Sequence, residues 1–257
     1  MDISIIGYGF VGKSIKKIFK DAIVYDPQAG HSLKREEAYR ADIMFICVPT
    51  PNLSDGNLDY SIVEDIVKLS NSKLICIRST LSPGTTDKLS LKYGKRIVFQ
   101  PEYLGETPNH PMSDQYNRKF IILGGKSEDT RTMINAYSSV YNANIHIRQV
   151  TAIEAEVIKL TANRATAFKV AECHELYELC EKAGVDYYTI REGVYGDDPR
   201  MSLWWTFVYP NSQGLNSKCL PKDLIGWCAW AESIGYTPKV SQAIINKNID
   251  WTSKKEL

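Results

Sequence analysis

The chain has 257 residues, of which 44% are hydrophobic and 24% are charged, and its formal net charge is +1. This ordinary globular composition excludes a disordered or fibrous protein, and the balanced charge argues against nucleic-acid and membrane partners. No apolar run has the length of a membrane span, and a strand-like segment begins directly at the N-terminus, so we expect no signal peptide. The six cysteines form no Cys-x-x-Cys pair, which predicts a reduced, cytoplasmic protein without a metal centre.

Strand-like and helix-like segments alternate through the first 150 residues. Short β-branched or aliphatic runs predict buried strands at residues 3–6, 22–25, 43–48, 73–77, 96–99 and 120–123. Apolar residues at helical spacing between several of these runs predict helices over residues 11–19, 60–69 and 85–91. The alternation predicts an α/β fold, in which residues 1–150 form a Rossmann-type, doubly wound parallel sheet.

The turn after the first predicted strand carries a glycine motif, GYGFVG, at residues 7–12. Gly7 permits the tight turn, Gly9 lets a pyrophosphate approach the backbone, and Gly12 allows the helix to pack closely on the strand. The N–H groups at the start of this helix, around Phe10 and Val11, suit a phosphate. The motif therefore predicts a dinucleotide site, although a glycine turn of another α/β protein is the alternative.

An acidic residue and two strand ends complete the predicted cofactor site. Asp26 ends the second predicted strand, where it would accept ribose hydroxyls and repel a 2′-phosphate, so NAD is favoured over NADP. Ligands of α/β proteins bind at the carboxyl ends of strands, where the segments CVPTP (residues 47–51) and RSTLSPGTT (residues 78–86) lie. The candidates there are Val48, Pro49, Thr50 and Thr80. A purely structural interpretation also fits, in which these segments only shape turns and cap a helix.

The pattern changes at residue 151. Residues 151–183 contain no Pro or Gly and have apolar residues at helical spacing, which predicts a spine helix about 50 Å long. Shorter helices are predicted over residues 186–192 and 221–234. We therefore expect a domain boundary near residue 150 and a helical domain over residues 151–257, with a homodimer built around the spine helix.

Cys219 lies in the segment SKCLPKD at residues 217–223, just before a predicted helix. Lys222 and the helix N-terminus would favour the thiolate, and Asp223 could transfer a proton. Pro221 suits the first turn of the helix. Taken alone, the segment fits equally well a packing cysteine beside a solvated charge pair.

In their order, these segments resemble the UDP-glucose/GDP-mannose 6-dehydrogenase family of nucleotide-sugar dehydrogenases. The resemblance runs from residue 1 to about residue 250. Besides the segments above, it rests on PEYLGE (residues 101–106), KLTAN (159–163), ELYELC (175–180) and DPR (198–200).

The resemblance implies that NAD oxidises a sugar primary alcohol to a carboxylate in two hydride transfers, as UDP-glucose 6-dehydrogenase does for polysaccharide biosynthesis. Cys219 then matches the nucleophile, which forms a thioester. Lys159 and Asn163, which share one face of the spine helix, match residues that act with Asp223 to stabilise the oxyanion and position water.

Further roles follow from the same resemblance. Glu106 and Thr80 match groups that handle water and protons during thioester hydrolysis. Glu102 matches a glutamate that lines the site, and Lys222 matches a lysine near the cofactor and the thiol. The implied substrate is a small sugar or a sugar nucleotide, and the family's middle domain dimerises.

Three departures from the family pattern leave the substrate open. We expect the chain to lack the family's C-terminal nucleotide-binding domain. QGLNSK (residues 213–218) replaces a glycine-rich approach to the cysteine, and Gly105 stands where arginine is common. Alternatives to an active dehydrogenase are a non-catalytic NAD-binding or dimerising relative, and a single-step β-hydroxyacid-type dehydrogenase, which Lys159 would suit but which needs no thiol.

Overall fold

The structure is a computed structural model that describes residues 1–105, 118–141 and 145–253. The chain forms two compact units. Unit 1 consists of Met1–Leu53 and Leu58–Lys159, and unit 2 consists of Ser54–Asn57 and Leu160–Leu257. None of the helices in the described ranges is both long enough and apolar enough to cross a membrane.

Unit 1 is built on a sheet with the strand order β2-β1-β3-β4-β5-β6-β7 in the described part of the chain. Neighbouring strands are parallel except β5 and β6, which are antiparallel. The strands are β1 (Ile3–Ile6), β2 (Ile23–Tyr25), β3 (Ile43–Ile46), β4 (Leu74–Ile77), β5 (Ile97–Phe99), β6 (Phe120–Gly124) and β7 (His146–Val150).

Helices cover both faces of this sheet because its central strands are apolar on both sides. One face packs Ile5 and Phe45 against α1 and α5, and the other packs Ile6 and Met44 against α3 and α4. The predicted doubly wound α/β sheet is thus confirmed. The helices of unit 1 are α1 (Phe10–Ile18), α2 (Arg35–Ala38), α3 (Ser61–Leu69), α4 (Thr85–Tyr93) and α5 (Ser127–Tyr137).

The predicted spine helix is α6, which spans Ala152–Ala183 and passes from unit 1 into unit 2. Its 32 residues correspond to about 48 Å. A capping box fixes its start, because Thr151 N donates to Glu154 Oε2 over 2.8 Å and Glu154 N donates to Thr151 Oγ1 over 3.4 Å. Gly184 ends it with a φ of +67°, a left-handed conformation that glycine adopts readily.

Unit 2 continues α6 with α7 (Tyr187–Arg191), α8 (Leu220–Ser233) and α9 (Lys239–Ser253). Trp251, which is 2% exposed, ties α9 to α6, because its Nε1 donates to Glu178 Oε1 over 3.0 Å and its ring packs at a tilted angle against His174. Leu215 and Leu224 pack near Ala167 of α6. The segment before Cys219 is therefore anchored to a helical core.

Four of these elements were not predicted from the sequence, namely β7, α2, α5 and α9, and α2 is only four residues long. Strand β7 has a polar sequence, HIRQV, whose residues are exposed or only partly buried, so it carries no buried-strand pattern. Helix α5 begins with four polar residues, and α9 is largely polar. Strand β7 and helices α5 and α9 are defined mainly by what they pack against, which a local pattern does not reveal.

Candidate active site

The chain reverses its direction of travel across the sheet between β1 and β3, and the loops after these two strands touch. Gly7, at the end of β1, has a φ of +91°, and a Cβ there would lie 2.5 Å from the carbonyl oxygen of Cys47. Only glycine fits this contact. Such a switch point is where doubly wound sheets open a crevice for a ligand.

The other two glycines of the motif have opposite surroundings. A Cβ on Gly12 would lie 2.0 Å from the carbonyl oxygen of Gly7, whereas a Cβ on Gly9 would meet nothing within 4 Å. Gly9 is also the N-cap of α1, so no side chain at this position caps the N–H groups of Phe10 and Val11. The backbone thus offers an open, electropositive cradle that fits a pyrophosphate.

Asp26 lies at the end of β2, as predicted. Its Oδ2 accepts a hydrogen bond from Tyr8 N over 2.7 Å, and its Oδ1 accepts from Gln28 N and Ala29 N over 3.0 and 3.2 Å. These bonds fix a partly exposed carboxylate beside the glycine turn. A carboxylate has about four acceptor positions, so one remains for a ribose hydroxyl.

Ser79 joins the loops after β3 and β4, a role that the sequence analysis missed. Val48 N donates to Ser79 Oγ over 3.0 Å, and Ser79 Oγ donates to the Val48 carbonyl over 2.7 Å. In the same loops Thr50 is buried, Pro49 is exposed and Thr80 is partly buried. The predicted cofactor-lining residues therefore lie on two connected loops at the carboxyl edge of the sheet.

Glu102 lies in a buried ionic cluster. Arg78 and Arg118 donate to its two oxygens, and the N–H groups of Tyr103 and Leu104 donate to Oε1 over 2.7 and 2.9 Å. Burial raises the pKa of Glu102, but the two guanidiniums and the backbone donors outweigh it and lower the pKa to about 2. The carboxylate is therefore ionised near neutral pH, which suits a residue that shapes its loop.

One further predicted residue, Lys159, lies near this loop. Lys159, on α6, is 7% exposed, and its Nζ lies 5.6 Å from the centroid of the Tyr103 ring, a cation–π contact. Glu106 lies outside the described residues. The structure thus places Lys159 beside the segment that follows Glu102.

Glu156, one turn before Lys159, is a buried carboxylate that the sequence analysis did not single out. It is 0% exposed and accepts hydrogen bonds from Gly84 N, Thr86 N and Thr86 Oγ1 over 2.5, 2.8 and 2.6 Å. Burial raises its pKa to about 7, although the three hydrogen bonds oppose this. Its position among apolar residues of α6 was the available signal.

In unit 2 the structure brings together four predicted residues. Asp223 is 1% exposed, and its Oδ1 pairs with Lys222 Nζ over 2.6 Å while its Oδ2 accepts from Asn163 Nδ2 over 2.5 Å. Cys219 is exposed at the N-cap of α8, and its carbonyl oxygen accepts from Asp223 N over 2.8 Å. Cys219, Lys222 and Asp223 therefore lie together at the start of α8, and Asn163 reaches Asp223 from α6.

Asn248 of α9 holds the segment that leads to Cys219. Its Oδ1 accepts from Leu215 N over 2.6 Å, and a Cβ on Gly214 would lie 2.7 Å from the same oxygen. Gly214 has a φ of +88°, so this tight approach also requires glycine. Among the described residues, no group of three or more His, Cys, Asp or Glu side chains forms a metal-binding cluster.

The fold and the glycine cradle define a dinucleotide-binding α/β protein with an attached helical unit. Comparison of the sequence with protein families makes this specific. Residues 28–145 match the "UDP-glucose/GDP-mannose dehydrogenase family, NAD binding domain", and residues 153–250 match the central domain of the same family. The chain belongs to this family, which confirms the predicted resemblance and the predicted NAD-binding domain.

Individual relatives agree with this assignment. The chain is 25% identical to UDP-glucose 6-dehydrogenase AglM of Haloferax volcanii, over 96% of this chain and 69% of the relative. It is 26% identical to UDP-glucose 6-dehydrogenase of Rickettsia bellii, over 91% of this chain and 55% of the relative. The chain thus spans between about half and two thirds of the length of these relatives.

Solved structures of similar fold include a UDP-glucose dehydrogenase from Pyrobaculum islandicum. This structure matches with a TM-score of 0.79 and 22% identity, over 96% of this chain and 67% of that one. A UDP-D-ManNAc dehydrogenase from Pyrococcus horikoshii matches with a TM-score of 0.73 and 22% identity, over 96% and 68% of the two chains. These likenesses support the fold.

Proposed function

We propose that the protein is an NAD-dependent dehydrogenase that oxidises the primary alcohol of a sugar nucleotide, or of a smaller sugar, to a carboxylate. The observation that carries this proposal is the first turn of α8, where the exposed Cys219 lies next to the buried Asp223, which binds Asn163 and Lys222. A packing cysteine would need neither exposure nor this polar cluster.

Each of the two units would contribute one part of the chemistry. NAD+ in the crevice of unit 1 would supply the hydride acceptor for both oxidations. Cys219 would add its thiolate to the intermediate aldehyde, giving a thiohemiacetal whose oxidation yields a thioester. Water would then cleave the C–S bond, releasing the carboxylate and restoring the thiol.

The neighbours of Cys219 have roles that follow from their contacts. Asp223 accepts from one N–H of the Asn163 amide, which fixes the amide plane and leaves its second N–H to stabilise an oxyanion or hold water. Oxyanion stabilisation by Lys159 remains a proposal that rests on the family resemblance. Thr80 and Glu106 remain proposals for proton and water handling, and Glu102 remains one for lining the site through its loop.

The test is the stoichiometry of the reaction with a panel that includes UDP-glucose and GDP-mannose. The expected result is two NADH for each carboxylate, measured by absorbance and by mass spectrometry of the product. One NADH with a carbonyl product would identify a single-step dehydrogenase instead. NAD+ binding without turnover of any substrate would identify a non-catalytic relative.

We also propose a homodimer in the cytoplasm. Helix α6 exposes apolar residues such as Ile153 and Leu179, which are 42% and 61% exposed. A reducing compartment keeps an exposed thiol such as Cys219 available for catalysis. Light scattering at micromolar concentration is expected to give twice the monomer mass, and a monomer at that concentration would contradict the dimer.

A further inference from the structure

The N-terminus of α4 is capped by a residue that lies far away in the sequence. Its N-cap is Gly84, which has no side chain to accept the first N–H groups of the helix. Glu156 of α6 accepts from Gly84 N and Thr86 N instead, and also from the Thr86 hydroxyl. The two helices are thus joined at one buried carboxylate.

The segment held by Glu156 continues directly into the candidate cofactor site. Residues 78–84 connect β4 to α4 and include Thr80 and Ser79, whose hydroxyl binds Val48 at the switch-point crevice. At its other end, the same segment is held by Glu156, one turn before Lys159. A movement of Glu156 would therefore reach the rim of the crevice through a short, connected stretch of chain.

We propose that Glu156 is a positioning residue for the dinucleotide, which holds the loop after β4 in the shape that NAD+ binds. This inference rests on the cofactor assignment of the proposed function. Glu156 itself lies under the loop, and its effect on the ligand passes through Gly84 and Thr86.

If Glu156 positions this loop, its protonation state should make the affinity for NAD+ depend on pH. An ionised carboxylate accepts all three hydrogen bonds, whereas a neutral carboxyl must donate one proton and accepts more weakly. Burial, and to a smaller extent the negative Asp87 on α4, raise the pKa to about 7. The other charged groups nearby on α6 are Lys159, whose Nζ lies over Tyr103, and the exposed Glu154, which caps Thr151. NAD+ affinity is therefore expected to increase as the pH rises through about 7.

The experiment is calorimetric titration with NAD+ at pH 6.0 and pH 8.5, on variants whose thermal unfolding shows that they are folded. We expect wild type to bind about tenfold more tightly at pH 8.5, the equivalent of one charge-assisted hydrogen bond. Glu156→Gln is expected to bind weakly at both pH values. Glu154→Gln, an exposed carboxylate on the same helix, is the matched control and is expected to behave as wild type.

A second variant keeps the test valid if Glu156→Gln does not fold. Thr86→Val removes the hydroxyl donor but keeps both backbone donors, and is expected to weaken binding about threefold at pH 8.5. A folded Glu156→Gln, or failing that a folded Thr86→Val, with wild-type affinity at both pH values would overturn the inference. Wild type that binds no NAD+ at all would overturn the cofactor assignment itself, whereas NAD+ binding without sugar oxidation would contradict only the proposed reaction.

Discussion

The glycine crevice of unit 1 and the cysteine segment of unit 2 are built in different ways. In the crevice, Gly7 and Gly12 are nearly adjacent in sequence, and backbone atoms occupy the space that a Cβ would need. The cysteine segment depends on side chains from three helices, namely Asn163, Asp223 and Asn248. A single substitution in the crevice should therefore cause a large loss of stability or of NAD+ binding. Substitutions around the cysteine segment should have effects of graded size.

The largest expected effect is that of Gly12→Ala. A Cβ there would lie 2.0 Å from the carbonyl oxygen of Gly7, so strand and helix must separate, at a cost of about 3 kcal/mol or more in stability. Thermal unfolding and NAD+ titration are the measurements. The matched control is Gly9→Ala, which meets no atom within 4 Å and is expected to fold normally but to bind NAD+ poorly, because the methyl group takes the place of the pyrophosphate. Equal stability of the two variants would contradict the explanation that backbone atoms leave no room for a Cβ at position 12.

Asp223→Ala probes the side-chain cluster. Removing this buried carboxylate takes away the partner of Lys222 Nζ and of the Asn163 amide, at an expected cost of about 3 kcal/mol in the free energy of unfolding. Turnover is expected to be lost as well. Asp250→Ala, an exposed carboxylate on α9, is the control and is expected to leave the denaturation midpoint unchanged. A midpoint for Asp223→Ala within error of wild type would show that the contacts of Asp223 with Lys222 and Asn163 do not stabilise the fold.

NAD+ is expected to stabilise the protein more than NADP+. The carboxylate of Asp26 is held in place by three backbone N–H groups, so it cannot easily move away from a 2′-phosphate. At about 100 times its Kd, NAD+ should add roughly 2.7 kcal/mol to the free energy of unfolding. Equal thermal shifts with the two cofactors at matched concentrations would refute the role of Asp26.

The crevice could be predicted from the sequence, whereas the cysteine segment could be predicted only in part. Glycine turns and buried strands are local patterns, so Gly7, Gly12 and Asp26 could be assigned from neighbouring residues. The pairing of Asp223 with Asn163 joins residues far apart in sequence, and it was anticipated only through the family resemblance. Glu156 and Asn248 were missed because polar residues on helices normally face water, and only the packed structure reveals their backbone partners.

Asn248→Ala is expected to give the smallest effect. The Leu215 N–H would lose its acceptor, at a cost of about 1 kcal/mol, and the segment before Cys219 would loosen without unfolding. The rate of Cys219 alkylation, followed by mass spectrometry, should change by a fewfold. Asn246→Ala, an exposed residue of the same helix, should leave the rate unchanged. Identical alkylation rates for both variants would show that Asn248 of α9 does not hold the cysteine segment in place.

The central claim is that Cys219 carries the substrate during the second oxidation. The most direct measurement is mass spectrometry of intact protein and released product. Wild type and Cys219→Ser are incubated with NAD+ and an alcohol substrate that the wild type oxidises. We predict carboxylate from wild type and at least a roughly thousandfold slower release from Cys219→Ser, because a serine hydroxyl is far less acidic than a thiol. Cys219→Ser is expected to stop at the aldehyde or as a covalent ester. Carboxylate released by Cys219→Ser at the wild-type rate would contradict the claim and make Cys219 a structural residue.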